Sequence, residues 1–164
     1  MVGPISVVIL EKITLVLMDD GTESIFGGRD SGGRSLDGGG VLVSVYQRLG
    51  RTLDDLPYTR EFDELLAFVG REGEERAVLS ELQRLRKAGR LPRLGRSKTH
   101  PVRLSDAEES LLIGLVEGAA GSVGRRDSLP YTAAFQSVLD AFNERAGRSL
   151  DYHTLWRLIA RLAK

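Results

Sequence analysis

The chain has 164 residues, of which 41% are hydrophobic and 28% charged, and its 23 basic and 23 acidic side chains leave a net charge of zero. This composition is typical of a soluble protein with one ordinary domain or two small ones. The neutral total argues against a strongly basic protein that coats DNA indiscriminately, and the absence of cysteine excludes disulfides and thiolate metal sites.

The first 40 residues differ in composition from the rest of the chain. Two short β-branched runs, residues 5–10 and 13–18, precede Asp20-Gly21, and this pattern predicts a small β-hairpin. Both runs are too short to span a bilayer, and the N-terminus lacks a signal-peptide pattern, so we expect a cytoplasmic protein without a membrane contact. Seven of the fourteen residues in 27–40 are glycine, which favours a flexible linker.

A short pattern in the first half of the chain recurs in the second half. Residues 56–62 read Leu-Pro-Tyr-Thr-x-x-Phe, and residues 129–135 read the same. The apolar positions that follow stay in register once a four-residue insertion in the second copy is allowed for. Such a match predicts one supersecondary unit that is built twice. We expect the two tyrosines, Tyr58 and Tyr131, to pack at a helix entry with their hydroxyl groups near backbone groups.

Helical spacing of the apolar residues predicts three helices in the first copy. The first covers residues 41–49, and the second runs to Val69 after a cap at Thr59 or Asp55. The third covers residues 74–87, where Ala88-Gly89 ends it and Pro92 prevents its resumption.

The second copy carries clearer helix signals. Ser105 and Glu108 form a capping-box pattern at the start of a helix that runs to about Ala120. Thr132 caps the next helix, which ends at Gly147 in the C′ position. The last helix spans about residues 151–162, and Trp156 lies in its apolar stripe, where we expect it to be part of the core.

The chain is therefore expected to be mainly α-helical, with two related three-helix units of the helix-turn-helix type and a small N-terminal β-hairpin. We divide the chain into four parts. The hairpin with its Gly-rich linker covers residues 1–40, and the first helical repeat covers residues 41–89. The basic linker arm covers residues 90–103, and the second helical repeat covers residues 104–164.

The approach to the last helix carries a family resemblance. Residues 142–150, Phe-Asn-Glu-Arg-Ala-Gly-Arg-Ser-Leu, lead into the helix that holds Trp156. This segment resembles the junction between helices two and three of the Myb/SANT-like tri-helical domains, whose third helix lies in the major groove of DNA. The resemblance implies a DNA-facing surface that includes Arg148, His153, Arg157, Arg161 and Lys164.

The strongest charge cluster lies between the two copies. Residues 84–103 hold eight Lys or Arg and no acid. Their first part ends a helix, and their second part is broken by Pro and Gly, so we expect an extended arm that follows phosphates or enters a minor groove. The candidate phosphate contacts are Arg84, Lys87, Arg90, Arg93, Arg96 and Lys98. Two alternatives remain open: these bases pair with the protein's own acidic patches, or they bind an acidic protein partner.

These patterns favour a non-enzymatic nucleic-acid-binding protein, with double-stranded DNA as the expected partner and transcription regulation as the expected role. His153, Arg157 and Arg161 are the candidates for contact with base edges. The alternative is an adaptor or structural subunit of a larger assembly, in which the repeats dock a protein partner. A homodimer is compatible with either hypothesis. No cofactor, metal site or catalytic residue is predicted, because no constellation of residues supports one.

Overall fold

The part of the chain that the structure describes, residues 38–94 and 102–162 of a computed structural model, is built from helices. It belongs to one compact unit that covers residues 35–164. The prediction of a mainly α-helical protein is confirmed, and no strand occurs within the two described ranges. The predicted β-hairpin at residues 5–26 lies outside them. The division into four parts stays a prediction.

The same order of elements occurs twice. The first half contains α1 (Gly38–Leu49), a 3-10 turn (Leu53–Asp55), α2 (Arg60–Val69) and α3 (Glu75–Lys87). The second half contains α4 (Asp106–Ala120), a 3-10 segment (Val123–Ser128), α5 (Ala133–Ala146) and α6 (Tyr152–Leu162). In each half, the Leu-Pro-Tyr-Thr sequence connects the 3-10 element to the second helix.

Helix α1 begins at Gly38, three residues before the predicted start at Val41. Glycine has a low intrinsic helix propensity, and the sequence pattern therefore indicated a later start. In the folded protein one face of this helix is buried through Leu42, Val45 and Tyr46. Tertiary packing of that face stabilises the helix more than propensity does, so the helix extends through the glycines.

The predicted helix ends are confirmed where side chains cap them. The Ser105 hydroxyl accepts from the Glu108 backbone N–H at 3.3 Å, and the Glu108 carboxylate accepts from the Ser105 backbone N–H at 2.8 Å, which completes the capping box. Thr59 and Thr132 cap α2 and α5 with a single bond each, since their hydroxyls accept from the backbone N–H groups of Phe62 and Phe135 at 3.3 and 3.2 Å. Gly147 ends α5 in the left-handed conformation with φ of 62°.

Each half has its own hydrophobic core. The first core includes Phe62 and Leu82, and the second includes Phe135 and Trp156, all of them almost completely buried. The prediction that Trp156 belongs to the core is confirmed. The two cores are linked by an exchange of tyrosines, because Tyr131 of the second half packs against the first core and Tyr58 of the first half packs against the second.

The two Leu-Pro-Tyr-Thr turns meet each other at this exchange. The backbone N–H of Tyr58 donates to the Tyr131 hydroxyl at 2.7 Å, and the backbone N–H of Tyr131 donates to the Tyr58 hydroxyl at 2.6 Å. The two rings lie 4.4 Å apart between centroids. The predicted proximity of these hydroxyls to backbone groups is confirmed, and the backbone belongs in each case to the opposite copy.

Both tyrosines adopt a backbone conformation that favours glycine, with φ of 62° at Tyr58 and 60° at Tyr131. A bulky residue in this left-handed region costs about 1–3 kcal/mol. The next residue in each copy reinforces the turn, since the hydroxyls of Thr59 and Thr132 donate to the carbonyls of Leu56 and Leu129 at 2.7 and 2.6 Å. These hydrogen bonds offset the backbone strain at Tyr58 and Tyr131, where the two halves contact each other.

The third helix of each half also contacts the other half. From α6, Arg157 forms an ion pair with Asp55 at 2.7 Å, and His153 Nδ1 lies 2.8 Å from the Pro57 carbonyl oxygen. Because a carbonyl oxygen only accepts, the His153 Nδ1–H is the donor. From α3, the Gln83 side-chain amide donates to the Asp127 carbonyl at 3.3 Å. Each third helix thus packs across the junction onto the 3-10 element of the opposite repeat.

The tyrosine exchange predicts a loss of stability at high pH. Burial raises the pKa of Tyr58 from 10.0 to about 12, and burial also raises the pKa of Tyr131. Because the pKa is higher in the folded state than in the unfolded state, the protonated tyrosines stabilise the folded protein. Their full contribution is present below pH 10 and is lost as the pH rises toward 12. We expect the free energy of unfolding to fall across this window, and to fall less in the double variant Tyr58→Phe, Tyr131→Phe. Urea unfolding at a series of pH values measures both, and equal pH slopes for the two proteins would contradict the prediction.

Candidate nucleic-acid interface

The C-terminal end of α3 presents a group of cations on the protein surface. Arg84, Arg86 and Lys87 occupy its last turn, where positive charge interacts favourably with the helix dipole. The helix ends as predicted at Ala88-Gly89. Gly89 has φ of 69° and donates to the Arg86 carbonyl, while the Arg90 N–H donates to the Leu85 carbonyl at 2.9 Å. This Schellman arrangement reverses the chain and fixes the direction in which it leaves the helix.

The predicted linker arm is held at both of its ends by apolar contacts. After the reversal, Leu91 is buried in the first core and Leu94 packs against it. At the other end, Val102 and Leu104 pack against the second core. Arg93 therefore has an exposed side chain, and its backbone is held in place by Leu91 on one side and Leu94 on the other. Two predicted phosphate contacts, Arg96 and Lys98, lie outside the described residues.

The cations at this end of α3 differ in what they contact. Arg86 forms ion pairs with Asp54 at 3.0 Å and Asp127 at 3.5 Å. Arg84, Lys87 and Arg93 are exposed and form no ion pair with any residue in the ranges 38–94 and 102–162. Their positive charge is thus directed to solvent. Arg90 is exposed as well, but it has a contact of its own. The α3 basic surface is defined below as the exposed side chains of Arg84, Lys87 and Arg93.

The candidate residues of the second repeat that the structure describes have contacts within the protein. Arg148 Nε donates to Glu108 at 2.6 Å, and Arg157 is paired with Asp55, which is 3% exposed. Arg161 donates to the Val102 carbonyl at 3.2 Å and to Glu109 at 3.3 Å. His153 donates to the Pro57 carbonyl, as described above. Lys164 lies outside the described residues. These side chains hold separate elements of the fold together.

The acceptors of these cations were missed by sequence reasoning. Asp55 lies in the 3-10 turn of the first repeat, far along the chain from Arg157, and no local spacing relates the two. Glu108 was recognised as a capping residue, but its second contact with Arg148 was not. The hydrogen bond from Arg148 is the main reason that the pKa of Glu108 falls to about 2, followed by the bonds from Ser105. This pair is therefore ionised at any neutral pH.

Neither a cluster of metal ligands nor a membrane-spanning helix occurs among the described residues. No three His, Asp or Glu side chains of the described ranges are grouped so as to hold a metal ion. Within those ranges, no helix is long and apolar enough to cross a membrane. Comparisons with protein-family models, with curated proteins and with solved structures found no match to this chain. Function is therefore inferred from the residues and their geometry.

Proposed function

We propose that this protein is a non-enzymatic nucleic-acid-binding protein that contacts the phosphates of double-stranded DNA through the α3 basic surface. The observation that carries the proposal is the exposure of Arg84, Lys87 and Arg93 without an ion-pair partner among the described residues. Cations in this state release phosphate counterions on binding, which is the main source of affinity in sequence-independent contact with DNA.

The geometry supports a rigid contact surface. Arg84 and Lys87 lie three residues apart on one helix, so their side chains project from neighbouring positions on its surface. Arg93 follows the chain reversal at Gly89 and is flanked by the buried Leu91. Backbone that is already ordered loses little conformational entropy when DNA binds. Phosphate contacts carry no direct base readout, so we expect weak sequence preference.

The helix-turn-helix hypothesis has a narrower role in this proposal. The two three-helix units suit such a motif, but the basic side chains on α6 have partners inside the protein. We therefore place the DNA contact at the end of α3 and beyond, with Arg96 and Lys98 as further candidates from the sequence. Base-edge contact by His153, Arg157 or Arg161 would first require these internal contacts to break.

Removal of three cations tests the proposal. In the variant Arg84→Gln, Lys87→Gln, Arg93→Gln, the slope of log affinity against log salt should become less negative by about 2.7, at roughly 0.9 for each phosphate contact. Between 50 and 200 mM salt, the affinity of the variant should therefore change roughly 40-fold less than that of the wild type. Fluorescence anisotropy of a labelled duplex, repeated with a single strand, measures both quantities.

A matched control removes the same charge elsewhere. Arg48, Arg76 and Arg145 are exposed on α1, α3 and α5, and the variant with all three changed to Gln keeps the α3 basic surface. We expect its salt slope to stay near that of the wild type. Equal losses in the two triple variants would show a dependence on net charge alone. A wild-type protein that binds no DNA at low salt would end the proposal.

An adaptor function is the second candidate, and one observation favours it. Val41 and Phe68 are about 40% exposed and line a surface groove of about 500 Å³ between α1 and α2. Leu42 and Val69 form its apolar wall, and Arg71 and Glu81 form an ion pair at its edge. A groove of this kind fits an apolar side chain of a protein partner. If the wild-type protein binds no DNA at low salt, the adaptor function becomes the better-supported of the two proposals.

A further inference from the structure

We propose that the DNA contact continues from the α3 basic surface onto the second repeat, where Arg125 and Arg126 bind further phosphates of the same duplex. Both side chains belong to the 3-10 segment Val123–Ser128. The inference rests on the proposed function, since it extends the same binding surface. It goes beyond that function because the surface is then formed by both repeats together and not by the end of one helix.

The 3-10 segment of the second repeat lies against α3. The Gln83 side-chain amide donates to the Asp127 carbonyl at 3.3 Å, and Arg86 forms an ion pair with the Asp127 carboxylate at 3.5 Å. Consecutive Cα atoms are ~3.8 Å apart, so the Cα atoms of Arg126 and Arg125 lie within about 4 and 8 Å of the Cα atom of Asp127. The two arginines therefore adjoin the last turn of α3, from which the α3 basic surface starts.

Arg125 and Arg126 carry charges that no acid of the described chain neutralises by contact. Arg125 is exposed and Arg126 is half-buried, and neither forms an ion pair with a residue in the ranges 38–94 and 102–162. The Nε atom of Arg126 is buried and has no hydrogen-bond acceptor among these residues. A guanidinium has five N–H donors in a planar arrangement that matches the oxygens of a phosphate. Both side chains therefore keep the hydrogen-bonding capacity that a phosphate contact needs.

Packing holds the 3-10 segment in one position. The segment contacts three helices, α3, α4 and α6. The Arg125 guanidinium lies at the C-terminal end of α4, where a Cβ atom added to Gly121 would be 3.8 Å from its Nη1 atom. The partial negative charge of a helix C-terminus attracts a cation at this place. The attraction orients the guanidinium and leaves it without a carboxylate, so phosphate binding costs little conformational entropy.

The two groups of cations form one surface that suits a duplex. The ion pairs of Arg86 with Asp54 and Asp127 lie between the α3 basic surface and the two arginines of the 3-10 segment, and they connect the two repeats at this point. Double-stranded DNA carries one negative charge for each ~1.7 Å of its axis, so a surface built from two packed elements meets several phosphates at once. We therefore expect five phosphate contacts where the α3 basic surface alone supplies three.

Neutralising the two arginines of the full chain tests the inference. In the variant Arg125→Gln, Arg126→Gln, the slope of log affinity against log salt should become less negative by about 1.8, at roughly 0.9 for each phosphate contact. Between 50 and 200 mM salt, the affinity of this variant should change roughly 12-fold less than that of the wild type. Because Arg126 is half-buried, the exposed Arg125 is also replaced alone, and Arg125→Gln should change the slope by about 0.9. Fluorescence anisotropy of a labelled duplex measures the slopes, and circular dichroism checks that each variant is folded.

Two matched controls separate phosphate contact from other effects. Arg125→Lys, Arg126→Lys keeps both charges, and Arg48→Gln, Arg145→Gln removes two exposed charges from α1 and α5. We expect both to keep a salt slope near that of the wild type. A Lys variant that loses as much slope as the Gln variant would show a structural effect and overturn the inference.

The outcome also distinguishes this inference from the proposed function. A wild-type slope in the folded Gln variants of Arg125 and Arg126, together with a flatter slope in the α3 triple variant, would overturn the inference and leave the proposed function intact. A flatter slope in the Gln variants alone would also overturn it, because the two repeats would then not form one surface. A wild-type protein that binds no duplex at low salt would end both.

Discussion

Replacing Tyr131 with alanine is expected to lower the free energy of unfolding by about 3–5 kcal/mol, the range measured for large aromatic residues in cores. The change removes a ring that packs on the core of the opposite half, and it also removes the acceptor of the Tyr58 backbone N–H. Tyr131→Phe keeps the ring and removes only the hydroxyl. We expect a loss of about 1–3 kcal/mol from it, the cost of leaving a partly buried donor without an acceptor.

The repeat adds an internal check to this prediction. Tyr58→Phe should give a loss similar to that of Tyr131→Phe, because each hydroxyl accepts from the backbone N–H of the other residue at 2.6–2.7 Å. The two losses should also be coupled, since both bonds lie in one contact. Urea unfolding followed by Trp156 fluorescence and by circular dichroism measures each value. Tyr152→Phe, at an exposed tyrosine, serves as the control and should change stability by less than about 0.5 kcal/mol. Phe variants as stable as the wild type would refute the exchange.

Replacing Arg157 with alanine is expected to destabilise the protein by about 3–5 kcal/mol, which is typical when one partner of a buried ion pair is removed. The variant leaves the Asp55 carboxylate in a site that is 3% exposed, with the Thr52 hydroxyl at 2.9 Å as a remaining donor. Replacing both charged residues with apolar ones of similar size should cost much less, since the buried charge of Asp55 is then removed together with its partner.

The control for this second prediction is an ion pair on the surface. Arg148 and Glu108 lie 2.6 Å apart but are far more exposed to solvent, which screens their interaction. Arg148→Ala should therefore destabilise the protein much less than Arg157→Ala does. The same urea unfolding measurements compare the two variants. If they cost the same, burial is not what makes the Asp55 pair important.

Local signals in the sequence were sufficient for most of the helices and for the ends that a side chain or a glycine caps. The capping box at Ser105 and Glu108, the caps at Thr59 and Thr132, and the glycine at position 147 each act within one turn of helix. Features of this kind depend on residues three or four apart, and the chain itself supplies that spacing. The start of α1 was predicted less well, because its glycines have low helix propensity and packing of the helix face overrides it.

The sequence alone could not determine whether each basic side chain contacts the protein itself or faces solvent. A basic side chain on a helix surface suits a phosphate and a carboxylate equally well, and only the position of other elements decides between them. Arg157 meets Asp55 because α6 packs on the 3-10 turn of the first half. Arg84 and Lys87, with similar chemistry on the equivalent helix, remain exposed at its end.

By itself, the sequence determined that this protein is mainly helical, that one helical unit is built twice, and that positive charge collects between the copies. Only the tertiary structure decided that the two copies of Leu-Pro-Tyr-Thr contact each other and that the basic side chains of α6 have partners inside the protein. The physical reason is range: helix formation depends on neighbours along the chain, whereas the partner of a tyrosine hydroxyl or a guanidinium is set by how separate helices pack.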